Sequence, residues 1–167
     1  MASRPRVLVM MGVAGAGKST VGRLAADRLG WPFVEGDDLH PPANVARMAA
    51  GEPLTDADRA PWLQAVAAQI DAWIAAGQGG VITCSALKRA YRDRLRRPGV
   101  LFVFLAAAPD EVSRRLEARR GHFMPATLAG SQFATLEPPG ADEAVLTLGK
   151  GTPERLARAV AEAVGGP

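Results

Sequence analysis

Apolar residues are distributed along the chain in two alternating patterns. Short unbroken runs occur at residues 7–11 (VLVMM), 33–34 (FV), 80–84 (GVITC), 100–105 (VLFVFL) and 144–148 (AVLTL). Runs of this kind, apolar at every position, predict strands buried on both faces. Between them the apolar residues recur at three- and four-residue intervals, the spacing of a helix with one buried side. The intervals predict helices over residues 21–29, 61–76, 87–96, 109–119 and 153–164. In the first, Val21, Leu24, Ala25 and Leu29 share a side, and Gly30 ends it. Strand and helix in alternation imply an α/β fold, a parallel sheet with helices on both faces. Ligands in such sheets collect at the carboxyl ends of the strands, so the segments that follow each strand are where chemistry is expected.

The segment after the first strand reads MGVAGAGKST, residues 11–20. Gly12-x-x-x-x-Gly17-Lys18-Ser19 fits the phosphate-binding P-loop in its strand–loop–helix setting. Gly12, Gly15 and Gly17 let the backbone curl so that successive N–H groups face one anion, and the helix dipole adds positive potential there. Lys18 is placed to reach the outer phosphates and Ser19 to put a hydroxyl on Mg²⁺. The pattern predicts binding of a nucleoside triphosphate. It does not name the group that receives the phosphate.

After the second strand comes EGDDLHPPANVARMAAGEPLTDADRAPWLQAV, a connection long for its position and rich in Asp, His, Arg and Pro. Thr55-Asp56-Ala57-Asp58 reads as a helix N-cap with Asp58 returning to the backbone, and Pro61 suits the first turn of the helix that follows. Capping leaves Asp37, Asp38, His40 and Arg47 unexplained beyond a strand end. After the third strand, Leu87, Tyr91 and Leu95 form an apolar stripe, with Lys88, Arg92 and Arg96 on the neighbouring stripe. A solvated basic face is the plain reading of those three, and Lys88 lies nearest the strand end. After the fourth strand, an amphipathic segment carrying Arg115 and Arg119 is interrupted at Arg120-Gly121-His122. Met124, Leu128, Phe133 and Leu136 then suit the packing of a small helical flap.

Bulk properties narrow the picture. A chain of 167 residues suits one domain, 1–167, with a sizeable core. The net charge is only +3, from arginines spread along the chain, and this does not separate a nucleic-acid binder from an enzyme handling two anions. Cys84 is the only cysteine, so an intramolecular disulfide is excluded, which agrees with a reducing cytoplasm. Neither a signal peptide nor a membrane span is expected.

Several blocks taken together resemble one family, the gluconokinases of the small P-loop type. They are MGVAGAGKST, GDDLHPPANVARMAAGEPLTDADRAPWLQ, CSALKRAYRDRLR, RRGHF and SQFATLEPPGADE, in the family's order and covering most of the chain. The resemblance implies a three-layer P-loop kinase fold with a five-stranded parallel sheet and a helical lid at about residues 120–140. It implies transfer of phosphate from ATP to the 6-hydroxyl of D-gluconate in carbohydrate metabolism, with Mg²⁺, in a cytoplasmic and commonly homodimeric enzyme with no nucleic-acid or membrane partner. Gly12, Val13, Ala14, Gly15, Ala16, Gly17, Lys18, Ser19 and Thr20 would form the ATP site, with Arg115 on the adenine and Arg119 or Arg120 reaching the phosphates. Asp37 would orient the attacking hydroxyl and accept its proton. It is preferred to Asp38, which fills the variable slot of Gly-Asp-x-Leu-His. His40, Arg47, Lys88 and Arg92 match positions suited to a polyol acid, in an acceptor segment at about 37–60, with His122 and Gln132 as lid candidates. Arg59 is either a further ligand or a salt-bridge partner of Asp56 or Asp58. Relatives often read Asp-Gly-Asp where this chain has Glu35-Gly36-Asp37, and the third strand ends without the aspartate that many P-loop enzymes use for metal. The metal carboxylate is therefore expected at Glu35 or Asp37, beside Ser19, unless water and phosphates hold the ion.

Two other classes compete. One is a kinase of the same fold for shikimate, a nucleotide or another sugar acid. The other is a non-catalytic nucleotide sensor or nucleic-acid module. A GTPase is disfavoured because the Asn-Lys-x-Asp tetrad for guanine does not occur.

Overall fold

The computed structural model describes residues 5–107 and 132–165. Strand β1 (Val7–Met11) is followed by α1 (Lys18–Leu29) and β2 (Phe33–Val34). A 3-10 turn (Gly36–Leu39), α2 (Pro42–Ala49) and α3 (Asp56–Ala75) lead to β3 (Gly80–Thr83). Then come α4 (Arg89–Leu95), β4 (Val100–Leu105), a 3-10 turn (Ala141–Glu143), β5 (Leu146–Leu148) and α5 (Pro153–Ala163). The five strands form one sheet in the order β2-β3-β1-β4-β5, parallel at every pairing.

β1 lies at the centre, and its unbroken apolar run follows from that place. Leu8 and Met10 face α1 and α5, packing with Val21, Ala25, Ala157 and Val160. Val7, Val9 and Met11 face α3 and α4, packing with Trp62, Leu63, Val66, Ile70, Tyr91 and Leu95. All five β1 residues are fully buried, so a polar side chain on either face would lose its water without gaining a partner.

The helices start where their caps dictate. Helix α1 runs straight out of the loop at Lys18, three residues before the apolar periodicity begins, and ends at Gly30 in the left-handed conformation. Helix α3 starts at Asp56, five residues earlier than expected, because Thr55 and Asp58 close a full capping box. Pro61 therefore sits inside the helix and not in its first turn. Lacking an N–H, it gives no bond to the Ala57 carbonyl one turn back. Helix α2 was not evident from the pattern. Pro42 begins it and it buries only Asn44 and Met48. The expected strand over 144–148 is shorter, Leu146–Leu148, since a 3-10 turn occupies 141–143. The helix expected over 109–119 lies outside the described residues.

That 3-10 turn corrects one expectation. Arg92 does not lie on a solvated or ligand-facing stripe: its side chain is fully buried. Its Nε and Nη2 donate to the two oxygens of Glu143 at 2.7 and 3.1 Å, and Nη1 donates to the Ala86 carbonyl at 2.9 Å. Arg96 adds a third donor at 2.9 Å, and the Gly140 amide a fourth at 2.8 Å. Every lone pair of the Glu143 carboxylate thus has a donor, and Arg92 joins α4 to the turn before β5. Hydrogen bonding by Arg92, more than anything else, pulls the Glu143 carboxyl down to about 2 from its ordinary 4.5.

A folded-state value below the unfolded one means that the unfolded chain takes up more protons at acid pH. This part of the stability is complete above about pH 4.5 and fades as pH falls toward about 2. Glu143→Gln leaves the buried Arg92 charge uncompensated and should cost about 3–5 kcal/mol near neutral pH. Urea denaturation at stepped pH should show the gap between the two proteins narrowing below about pH 4.5; a gap independent of pH would remove the carboxylate from this account.

Candidate active site at the carboxyl edge of the sheet

The loop after β1 has the shape its glycines permit. Gly12, Gly15 and Gly17 all have positive φ, at 140°, 81° and 102°, a region that side-chain-bearing residues rarely enter. The Lys18 ammonium reaches back over the loop, donating to the carbonyls of Gly12 at 2.8 Å and Val13 at 3.2 Å. Ala14 N–H donates to Gln132 Oε1 at 2.6 Å, which places Gln132 against the loop tip.

Beyond β2 the chain crosses the end of β3 at very close range. A Cβ on Gly36 would lie 1.7 Å from the Thr83 carbonyl oxygen, so only glycine fits. Thr83 Oγ1 accepts from the Gly36 amide at 2.9 Å and donates to Glu35 Oε1 at 2.5 Å. The other carboxylate oxygen of Glu35 accepts from the Ser19 hydroxyl. Ser19, Glu35 and Thr83 therefore form one continuous set of hard oxygen donors at the foot of the loop. Thr83 was not singled out in the sequence. It reads there as an ordinary strand residue, and its only signal is that it stands where other P-loop enzymes carry a metal aspartate. Its neighbour Cys84 is buried, and burial pushes the thiol up to about 12, so this lone thiol stays protonated beside the loop.

On the other side of Gly36 opens a cleft walled by Lys18, Asp37, His40, Arg59, Trp62 and Gln132 among others. Asp37 lines it, whereas Asp38 is exposed on the outside of the turn. His40 stacks on Trp62, with ring centroids 4.2 Å apart and planes inclined by 15°. Burial, followed by the nearby Arg59 charge, pulls His40 down to about 4, which keeps the imidazole neutral near neutral pH. Arg59 pairs with neither Asp56 nor Asp58 by a direct bond. It donates to the Tyr91 hydroxyl at 3.1 Å with its guanidinium over the ring, and the Tyr91 hydroxyl in turn donates to Asp56.

Arg47 and Lys88 are half-committed elsewhere. Arg47 bridges Asp58 at 3.1 Å and Lys88 bridges Asp56 at 3.0 Å, both at exposed positions beside the cleft. Such pairs are worth little in water and can be exchanged for another carboxylate. Arg92 is absent from this group for the reason given above. Arg115, Arg119, Arg120 and His122 lie outside the described residues. A second cleft opens on the far side of the loop between Ala16, Leu105, Ala107, Gly149, Lys150 and Leu156. The sequence offered little to find it by beyond two glycines flanking Lys150. The loop thus stands between two clefts, with the lysine, a carboxylate and a neutral imidazole gathered on one side.

Known proteins share this arrangement. The shikimate kinase family model matches residues 14–134. A gluconokinase of Gluconobacter oxydans is 55% identical over 148 residues, covering 87% of this chain and 83% of its own length. The crystal structure of a sugar kinase from Janibacter sp. HTCC2649 superposes with a TM-score of 0.90 at 44% identity, covering 96% of this chain and 95% of the other. That of a gluconokinase from Sinorhizobium meliloti gives 0.84 at 41% identity, covering 98% and 93%. With a P-loop at the edge of a five-stranded parallel sheet and this degree of identity along most of its length, the chain belongs to the gluconokinase family of P-loop kinases.

Proposed function

We propose that this protein transfers the γ-phosphoryl group of ATP to the 6-hydroxyl of D-gluconate, giving 6-phospho-D-gluconate and ADP. One observation carries the reading: Lys18 of the phosphate loop and Asp37 beyond β2 line the same cleft. A donor phosphate held by the loop and an acceptor hydroxyl held by Asp37 would therefore face each other, and phosphoryl transfer is mainly a matter of such positioning and of neutralising charge. The names borne by the gluconokinase relatives agree with this acceptor.

The lining of the two clefts supports the following roles for the described residues. The loop amides of residues 12–20 and Lys18 hold the phosphates, and Lys18 moves from loop carbonyls to phosphate oxygens. The nucleoside occupies the second cleft, around Ala16 and Lys150, since the loop lies between the two; Arg115 is the candidate to lie on the base. Asp37 accepts a hydrogen bond from the attacking hydroxyl, aligns it and takes its proton. His40 donates to a substrate oxygen, and Arg59 supplies fixed positive charge for the carboxylate. Arg47 and Lys88 can each exchange an exposed aspartate for the substrate. Gln132 links the loop tip to the acceptor, and His122, Arg119 and Arg120 are lid candidates, the arginines reaching the phosphates on closure. The proposal takes residues 1–167 as one catalytic unit, with the acceptor segment at about 37–60 and the lid at about 120–140. A cytoplasmic homodimer is part of the same reading. No helix among the described residues is long and apolar enough to cross a membrane.

The Ser19 hydroxyl and the Glu35 carboxylate fit Mg²⁺, a hard ion that commonly keeps several waters and takes only one or two protein oxygens besides phosphate. When bound, the ion neutralises charge on the phosphates. Thr83 keeps Glu35 turned toward Ser19. Glu35→Gln should raise the Mg²⁺ concentration needed for half-maximal rate by about tenfold or more. Thr83→Val, which leaves Glu35 charged but unheld, should give a smaller shift and also lower stability by about 1–3 kcal/mol because the Gly36 amide loses its acceptor. Rates measured across a Mg²⁺ series test both; an unchanged Mg²⁺ dependence in Glu35→Gln would move the metal site elsewhere.

The match to the shikimate kinase model keeps a second acceptor in view. ADP release measured with gluconate, shikimate and other sugar acids decides between them, and gluconate should be the best acceptor. Asp37→Asn should then cut gluconate phosphorylation by about 10²–10⁴-fold while ATP binding by calorimetry stays within a few-fold. Asp38→Asn, on the exposed side of the turn, should do much less. A crippled Asp38→Asn enzyme beside a healthy Asp37→Asn one would shift the acceptor loop by one residue.

A further inference from the structure

Asn44 has no role in the account so far, yet it is buried in α2 directly behind His40, which lines the acceptor cleft. Its amide nitrogen makes two contacts. It donates to the Asp58 carbonyl at 2.8 Å, and it lies 3.2 Å from His40 Nδ1. The first contact fixes which way the amide faces, because a backbone carbonyl can only accept and would repel the amide oxygen. The same nitrogen, with its second hydrogen, then faces His40. A nitrogen that receives a hydrogen bond carries a lone pair, so Nδ1 is unprotonated and the ring proton of the neutral imidazole sits on Nε2.

The ring is also held against rotation. Trp62 stacks on one face, and Trp62 is itself anchored by its Nε1–H, which donates to the Gly36 carbonyl at 2.9 Å. Among the described residues no buried side-chain nitrogen or oxygen lacks a hydrogen bond. Nε2, engaged by none of the bonds made by His40, is accordingly open to the cleft that His40 lines.

We propose that Asn44 is a positioning residue that holds His40 as its Nε2–H tautomer, so that the imidazole presents one neutral hydrogen-bond donor to an oxygen of the polyol acid. The proposal rests on the assignment of this cleft to the acceptor. It gives the cleft a division of labour: Asp37 takes a proton-bearing hydroxyl, Arg59 takes charge, and His40 meets a lone pair. A ring of the other tautomer would face the same oxygen lone pair to lone pair. The low basicity of the buried ring supports a neutral donor.

Long-range ¹H–¹⁵N correlation spectra of protein labelled at its two histidines test this near neutral pH. The His40 signals are identified by their loss in His40→Gln. The expected pattern is a pyrrole-type Nε2 and a pyridine-type Nδ1, with the Nε2 signal moving when gluconate is added. Asn44→Asp keeps the size but offers an acceptor to Nδ1, so the ring proton should move from Nε2 to Nδ1. The KM for gluconate should then rise about tenfold to hundredfold, with the KM for ATP changed less than about twofold. A pyridine-type Nε2 in the wild-type protein overturns the proposal without recourse to any variant. So does an Asn44→Asp protein whose Nδ1 is protonated and Nε2 pyridine-type but whose gluconate KM is unchanged. Loss of thermal stability in Asn44→Asp with the wild-type ring pattern retained would mark Asn44 as merely structural. If the wild-type protein failed to phosphorylate gluconate at all, the reading of the acceptor would fall, while the tautomer would still be decided by the spectra.

Discussion

The site depends on one steric constraint, the passage of Gly36 over the end of β3. At 1.7 Å from a virtual Cβ to the Thr83 oxygen, the two backbones are as close as they can come. That contact sets the residues on either side of Gly36 to opposite tasks. Glu35 is directed back to Ser19 at the foot of the phosphate loop, and Asp37 is directed forward into the cleft beside Lys18. Trp62 closes the same knot from α3 by donating to the Gly36 carbonyl. The Glu35 and Asp37 carboxylates are thereby held in fixed relation by three consecutive residues, the last two opening the 3-10 turn Gly36–Leu39.

Charge in this protein divides into what holds the fold and what remains for chemistry. The buried Arg92–Glu143 pair, with Arg96 and the Gly140 amide completing it, is spent on joining α4 to the turn before β5. Buried pairs of this type are costly to break and add little net stability when whole. The cations at the cleft are held more loosely. Arg59 and Lys88 both lie over the Tyr91 ring, and Lys88 and Arg47 share exposed aspartates.

How much of this could be read from the residues alone varies with the distance over which each signal acts. The phosphate loop was legible because its glycines, lysine and hydroxyl are contiguous and sit between a strand and a helix. The sheet was legible because a central parallel strand must be apolar at every position, as Val7 to Met11 are. Helix α2 was hidden because it is only eight residues long, begins at Pro42 within a polar connection and buries two side chains. The start of α3 was misplaced because its first turn is polar, and the capping box there was recognised but not followed to its consequence for Pro61. Arg92 was misread for a different reason: its partner Glu143 is 51 residues away, and nothing local distinguishes a buried arginine from a solvated one. Thr83 and Asn44 act through single hydroxyl and amide groups on otherwise ordinary elements, so only the folded arrangement reveals them.

Helix α3 carries two kinds of responsibility at its two ends. Its first turn, Asp56 to Arg59, is tied to neighbouring elements through Lys88, Tyr91, Arg47 and Asn44. Its later turns, from Leu63 through Val66 and Ile70 to Trp73, are packed into the core. A rod of 20 residues is about 30 Å long, long enough for these duties to be nearly independent. Changes in the first turn can therefore alter the cleft while the later turns keep the fold intact, and Trp62 belongs to both.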